Sequence, residues 1–103
     1  MAQYNVLASV TSPPTDVSLH VNNVKIRMTR DGSGAWSGST QLDLPESVPI
    51  GFRATGIASA PWTLEIKFVT PAPEKKVVKD YKYDDTIPDD LLSIFNDTVE
   101  VTP

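Results

Sequence analysis

The sequence contains no cysteine and a single histidine, His20. The lack of cysteine excludes disulfides, thiolate nucleophiles and cysteine metal sites, and one histidine leaves little imidazole chemistry. No apolar run approaches the roughly 20 residues that cross a bilayer, so we expect no membrane partner. These absences predict a small domain with few catalytic groups and no cofactor.

The charge balance disfavours nucleic acid as a partner. Nine basic and thirteen acidic residues give a net charge of −4, whereas nucleic-acid binders neutralise phosphates with lysine and arginine. Met1-Ala2-Gln3 is typical of a translation start, and no basic segment followed by an apolar one comes after it. We therefore expect a cytoplasmic protein, or an exported one if a signal sequence has been removed.

The length and composition predict one domain built of strands. The chain has 103 residues, of which 27 are valine, isoleucine or threonine, and nine prolines divide it into short segments. Branched side chains pack well on a pleated surface, and frequent prolines suit a sandwich better than a helix bundle. We expect a single β-sandwich domain over residues 1–103.

The clearest local pattern is a hairpin over residues 16–30. Asn22 and Asn23 tolerate the left-handed backbone of a type I′ turn. With a two-residue loop, the polar face pairs Ser18 with Arg27 and His20 with Lys25. A slip by one residue would invert both faces, so the pattern specifies its own register. The apolar face then pairs three sets of residues: Val21 with Val24, Leu19 with Ile26, and Val17 with Met28.

The turn at residues 31–34 decides where the indole of Trp36 points. A three-residue loop places Met28 opposite Trp36 and buries the indole, whereas a four-residue loop places Thr29 opposite it and exposes the indole. We favour the buried indole because tryptophan carries a large apolar area. A strand follows over residues 35–44.

Four further segments alternate apolar and polar residues as strands do. They are residues 3–10, 50–56, 62–69 and 77–83, and the proline-bounded residues 45–49 are predicted to be a loop. Segment 62–69 has the strongest pattern, and we expect it near the centre of a sheet because one face carries four large apolar side chains: Trp62, Leu64, Ile66 and Phe68.

The last part of the chain differs in charge and in pattern. Residues 80–103 contain seven acidic residues and one lysine, whereas residues 1–79 carry a net charge of +2. Residues 86–89 resemble a capping box, which predicts a short helix within residues 86–97 and then a strand over 98–101. The helix carries an apolar stripe that must be covered: Leu91, Leu92, Ile94 and Phe95. We expect the acidic segment to dock on its own domain rather than in a partner's groove, because its charge is opposite to that of residues 1–79 and a further strand segment follows the helix.

Residues 21–66 resemble bacterial immunoglobulin-like accessory modules, in which short turns of this kind join the strands. The matching stretches are Val21-Asn22-Asn23-Val24, Asp31-Gly32-Ser33-Gly34-Ala35-Trp36 and Leu42-Asp43-Leu44-Pro45. The resemblance implies an all-β fold, an immunoglobulin-like antiparallel β-sandwich of seven or eight short strands, to which this chain adds one short C-terminal helix. It implies a spacing or binding role and carries no catalytic residue over.

Two groups of side chains are candidate sites. Trp36, Tyr81 and Tyr83 could form an aromatic platform for a sugar ring, and the alternation places Trp62 in the core instead. Ca²⁺ takes six to eight oxygen ligands, and one group of carboxylates could supply several: Asp84, Asp85, Asp89 and Asp90.

The leading function is a non-catalytic interaction module that binds a protein partner, or itself, through a sheet face or a strand edge. The alternative is a carbohydrate-binding module that uses exposed aromatic residues. A third reading is a small hydrolase or metal-dependent enzyme. His20 is its only candidate general base, and no nucleophile motif accompanies it.

Overall fold

A computed structural model describes residues 2–11, 14–90 and 92–102. Within these ranges the chain contains no helix and forms nine strands. They are β1 Ala2–Val10, β2 Asp16–Val21, β3 Val24–Ile26, β4 Thr29–Arg30, β5 Trp36–Leu44, β6 Ser47–Thr55, β7 Pro61–Val69, β8 Val77–Thr86 and β9 Leu92–Glu100.

The strands form two antiparallel sheets that pack face to face as a sandwich. The five-stranded sheet has the order β4-β5-β1-β7-β8, and the four-stranded sheet has the order β3-β2-β6-β9. Alternate side chains of both sheets point inward and form one apolar core. The all-β sandwich predicted from the composition is therefore confirmed.

The predicted pattern of β7 is confirmed, since Trp62, Leu64, Ile66 and Phe68 are all buried. β7 lies between β1 and β8, inside the five-stranded sheet. β1 contributes its own alternating row to the same core, which the structure buries to 5% exposure or less: Tyr4, Val6, Ala8 and Val10.

The hairpin turn is also confirmed. Asn22 and Asn23 have φ angles of 51° and 65°, and Leu19 pairs with Ile26 as predicted. The predicted pair of Val17 with Met28 does not form, because β3 ends at Ile26 and the chain then crosses into the other sheet as β4.

A glycine in β5 makes room for this crossing. A Cβ atom on Gly38 would lie 2.3 Å from the carbonyl oxygen of Arg27 and 2.9 Å from the Sδ atom of Met28. Real Cβ atoms do not approach other atoms this closely, so the crossing segment needs a residue without a side chain at this position.

Trp36 faces inward, but the loop before it has neither predicted length. Arg30 pairs with Trp36, which leaves five residues in the loop. Trp36 lies opposite the buried Val10, its indole is half-buried, and its Nε1 donates a hydrogen bond to the carbonyl oxygen of Pro14 at 3.0 Å. The carboxylate of Asp31 stabilises the loop by accepting from the backbone N–H groups of Ser33 and Ala35.

β6 begins earlier than predicted and includes Pro49, which the sequence placed in a loop. The carbonyl oxygen of Pro49 accepts a hydrogen bond from the backbone N–H of Asn22 at 2.8 Å. The backbone nitrogen of Pro49, which carries no hydrogen, therefore points toward the end of β2, where the chain turns away from β6. Proline at such a position interrupts little of the ladder.

The predicted helix within residues 86–97 is wrong. Residues 92–100 form β9, which pairs with β6 over its whole length, while Leu91 lies outside the described residues. Backbone pairing over nine residues outweighs the short helical stripe, and the strand points Ile94 outward while Phe95 points inward. The residues compared with a capping box run from the end of β8 at Thr86 to a turn at Asp89. Between them, the backbone N–H of the buried Ile87 donates to the carbonyl oxygen of Ala60 at 2.9 Å.

Candidate functional site

The two sides of the sandwich differ in how they end. On one side the chain crosses between the sheets, so the edge strands β3 and β4 have only three and two residues. On the other side the edge strands are long, with ten residues in β8 and nine in β9. Each has a neighbouring strand on one side only. We call this second side the open side.

Aromatic side chains link the two sheets along the open side. Tyr83 of β8 stacks on Phe95 of β9 with a centroid distance of 4.1 Å, and Trp62 packs against both rings. The Tyr81 hydroxyl donates a hydrogen bond to Oδ2 of Asp97 at 2.6 Å. The two tyrosines predicted to bind sugar therefore face inward, between the sheets.

The third residue of the predicted sugar platform lies elsewhere. Trp36 is on β5, and β1 and β7 separate it from β8. Three strand spacings amount to about 14 Å. The structure thus brings Tyr81 and Tyr83 together but does not bring Trp36 to them.

The backbone of β9 directs alternate amides toward the open side. The N–H of Val101 donates to the carbonyl oxygen of Glu46, just before the start of β6, so the N–H and C=O groups of the odd-numbered residues of β9 face β6. Thr98 pairs with Pro49, whose carbonyl points away toward β2. Because strand residues alternate, the even-numbered residues of β9 present their N–H and C=O groups to the open side.

Two of these outward amides are covered by neighbouring carboxylates. The N–H of Thr98 donates to Oδ1 of Asp97 at 2.8 Å, and the N–H of Leu92 donates to Oδ1 of Asp90 at 3.4 Å. The outward amides between them belong to Ile94 and Asn96, which have no protein acceptor in the described part of the chain. Ile94 also exposes 57% of its surface.

The edge of β8 is protected differently. The N–H of Ile87 donates to the carbonyl oxygen of Ala60, just before the start of β7. The odd-numbered residues of β8 therefore direct their backbone N–H and C=O groups toward β7, and the even-numbered residues direct theirs toward the open side. Those residues include Asp80, Lys82 and Asp84, and charged side chains on an edge discourage pairing with another strand. The outward positions in the middle of β9 carry no charge, so β9 is the more permissive edge.

The hydrogen bond between Tyr81 and Asp97 shifts the pKa values of both side chains. The hydrogen bond from Tyr81, and then that from the N–H of Thr98, hold the pKa of this carboxyl below its usual range. Burial, and then the bond to Asp97, raise the pKa of the Tyr81 hydroxyl. Asp97 is therefore ionised and Tyr81 protonated at neutral pH.

A shallow cleft lies on the outer face of the four-stranded sheet, next to β9. Its volume is about 550 Å³, and Gly51 forms its floor between His20 of β2 and Asn96 of β9. Asp97 also borders the cleft, but its carboxylate oxygens are bonded to Tyr81 and Thr98. Among the described residues, no hydrogen bond joins His20 to a carboxylate that would orient its imidazole.

The four aspartates predicted as calcium ligands are spread over β8 and the turn after it. Asp84 accepts a hydrogen bond from the Thr63 hydroxyl, and Asp85 accepts one from the N–H of Thr86. Asp84 and Asp85 are consecutive in a strand and point to opposite faces. In residues 2–11, 14–90 and 92–102, no three histidine or carboxylate groups lie close enough to hold a metal ion.

Sequence reasoning did not identify Ile94, Asn96 and Asp97 as a site. The signal that could have found them is the alternation of Phe95, Val99 and Val101, which has the period of a strand. That Ile94, Asn96 and Asp97 lie on an edge strand follows from the order of the strands in the sheet, and the local sequence does not determine that order.

The described residues contain no helix long and apolar enough to cross a membrane. No protein-family model matches the chain, and no curated protein and no solved structure shows a significant match to it.

Proposed function

We propose that this protein is a non-catalytic interaction module that binds a polypeptide partner by strand addition at β9. One observation carries the proposal: the edge amides of Ile94 and Asn96 face outward on a long edge strand whose outward positions there are uncharged. An extended segment would pair with them as an additional strand, a common mode of peptide recognition.

The energetics favour this edge over the other edges. Each new backbone hydrogen bond contributes roughly 0.5–1.5 kcal/mol, and the exposed Ile94 adds apolar area that a partner side chain could cover. The edges of β3 and β4 are too short for several bonds, and β8 carries charges at its outward positions. The stacked rings of Tyr83 and Phe95 hold β9 in place before the partner arrives, which lowers the entropic cost of binding.

The finer assignments from the sequence stay predictions. Two antiparallel sheets support an immunoglobulin-like sandwich, but β1 lies in the middle of its sheet, whereas the first strand of an immunoglobulin constant domain lies at an edge. The cytoplasmic location and the exclusion of nucleic acid and membranes as partners also remain predictions.

A proline substitution tests the proposal, since it removes one outward amide and nothing else from the ladder. The N–H of Asn96 faces away from β6, so Asn96→Pro costs no hydrogen bond to β6, and Phe95 already has the extended backbone that a following proline prefers. Asn96→Ala is the matched control, because it loses the same side chain and keeps the amide.

The binding assay is an NMR titration with short capped peptides that alternate valine with lysine, threonine or glutamate. We expect at least one peptide to shift the amide signals of Ile94 and Asn96. Asn96→Pro should weaken that binding about tenfold or more, equivalent to the loss of about 1.4 kcal/mol, while Asn96→Ala binds within about twofold of wild type. Equal binding by the two variants, or shifts confined to residues far from β9, would contradict the proposal.

A further inference from the structure

We infer that the segment added to β9 is basic, with a lysine or arginine facing Asp97 and an apolar residue beside Ile94. This inference rests on the proposed strand addition and specifies the chemistry of the partner. It follows from the charge of the open side, from the geometry of an added strand, and from the poor fit of a second copy of this chain.

The open side is acidic. Its edge strands β8 and β9 carry five carboxylates and two lysines, Lys79 and Lys82, a net charge of −3. Lys82 is already paired with Glu65 at 3.3 Å. The carboxylates lie on both edges, since Asp80, Asp84 and Asp85 are in β8 while Asp97 and Glu100 are in β9. An approaching segment therefore meets negative charge from both sheets, which favours a cationic partner.

The geometry places one basic side chain next to Asp97. An added strand lies about 4.8 Å from β9, and directly opposed side chains have Cβ atoms about 5 Å apart. The partner residue opposite Asp97 points toward the inside of the sandwich, and the one opposite Ile94 points outward. These two partner positions are three residues apart, so they lie on opposite faces of the added strand. A segment that alternates basic and apolar residues meets both requirements.

A second copy of the chain fits this edge poorly. Two β9 strands could pair antiparallel about a two-fold axis at Asn96. Within β9, this pairing would place no carboxylate directly opposite another carboxylate. However, Tyr81 lies over Asp97 and Tyr83 over Phe95, so Lys82 lies across the sandwich from Asn96. The same axis would then set Lys82 of one copy against Lys82 of the other, and Asp80 against Asp84. Directly opposed like charges are destabilising.

The test compares the lysine and glutamate peptides in the NMR titration at about 20 mM salt and again at about 0.5 M salt. We expect the lysine peptide to bind at least about tenfold more tightly than the glutamate peptide at low salt, and the difference to shrink at high salt. Asp97→Asn should weaken binding of the lysine peptide about three- to tenfold. Asp43→Asn removes the same charge on the exposed outer face of β5, near the other side of the sandwich, and should change binding by less than about twofold.

The failures of this inference and of the proposed function are distinguishable. If the threonine or glutamate peptide shifts the amides of β9 as strongly as the lysine peptide, the partner is not specifically basic, and strand addition still stands. If none of the three peptides shifts those amides, the proposed function itself is wrong. If the chain alone forms a dimer in sedimentation equilibrium that Asn96→Pro abolishes, the occupant is a second copy, and the inference of a basic partner is overturned.

Discussion

Replacing Gly38 by alanine tests how the sandwich closes the side opposite β9. The added Cβ would lie 2.3 Å from the carbonyl oxygen of Arg27, in the segment that crosses between the sheets. A backbone oxygen cannot rotate away as the end of a flexible side chain can. The crossing segment must therefore move, or the pairing of β5 with β1 at Ala8 must distort.

The expected cost can be worked out from two opposing effects. Overpacking of this kind lowers the free energy of unfolding by about 1–3 kcal/mol. Alanine also restricts the unfolded chain more than glycine does, which raises the free energy of unfolding by about 0.4–1 kcal/mol. We expect Gly38→Ala to lose about 1–2 kcal/mol. For a domain of this size, that loss lowers the melting temperature by roughly 5–15 °C.

The assay is thermal unfolding followed by circular dichroism, with Gly32→Ala as the matched control. A Cβ on Gly32 meets nothing within 4 Å, so this variant should stay within about 1 kcal/mol of wild type. If Gly38→Ala melts at or above the temperature of Gly32→Ala, the close crossing at Arg27 does not exist as described.

Two further predictions concern the hairpin turn and the link between the sheets. Asn23→Val should lose about 1–2 kcal/mol in thermal unfolding because the φ of 65° at this position disfavours a branched side chain, while Asn23→Gly should be neutral or stabilising; an unchanged melting temperature for the valine variant would refute this. The lowered pKa of Asp97 means that its ionised form contributes stability above the ordinary aspartate pKa of about 3.9, and that this contribution is lost as the pH falls through the lowered value. Tyr81→Phe removes the main cause of the lowered pKa of Asp97. In urea titrations between about pH 5 and pH 2, this variant should therefore lose less stability than wild type. Identical losses in the two proteins would refute this prediction.

The parts of the fold that local pattern determines were predictable from the sequence. Asn22 and Asn23 predict the turn between β2 and β3, because few other residues tolerate a left-handed backbone conformation. β1 and β7 alternate over most of their length. A row such as Leu64, Ile66 and Phe68 can be buried only by turning that face of the strand toward the core. Such segments carry their own register.

The last strand was not predictable in this way. Leu92, Ile94 and Phe95 are close enough in sequence to suit one turn of a helix, and periodicity alone separates short apolar runs poorly. The deciding contact is the pairing with β6, between residues 37 to 53 positions apart in the chain. Tertiary pairing of this kind overrides weak local preference.

The candidate site was predictable only in outline. A strand edge was one of the surfaces expected to bind a partner, but the residues chosen were Trp36, Tyr81 and Tyr83. The register of β8 on β7 turns both tyrosines inward, and the strand order leaves β9 at an edge. Neither fact is a property of the local sequence.

Amide hydrogen exchange of β9 tests the central claim most directly. In the free protein, the N–H groups of Ile94 and Asn96 should exchange rapidly, while those of Phe95 and Val99, which face β6, should be protected. Saturation with the tightest-binding peptide should slow the exchange of Ile94 and Asn96 about tenfold or more and leave Phe95 and Val99 protected. Protection of Ile94 and Asn96 in the free monomer, or no change in their exchange when the peptide is bound, would contradict strand addition at β9.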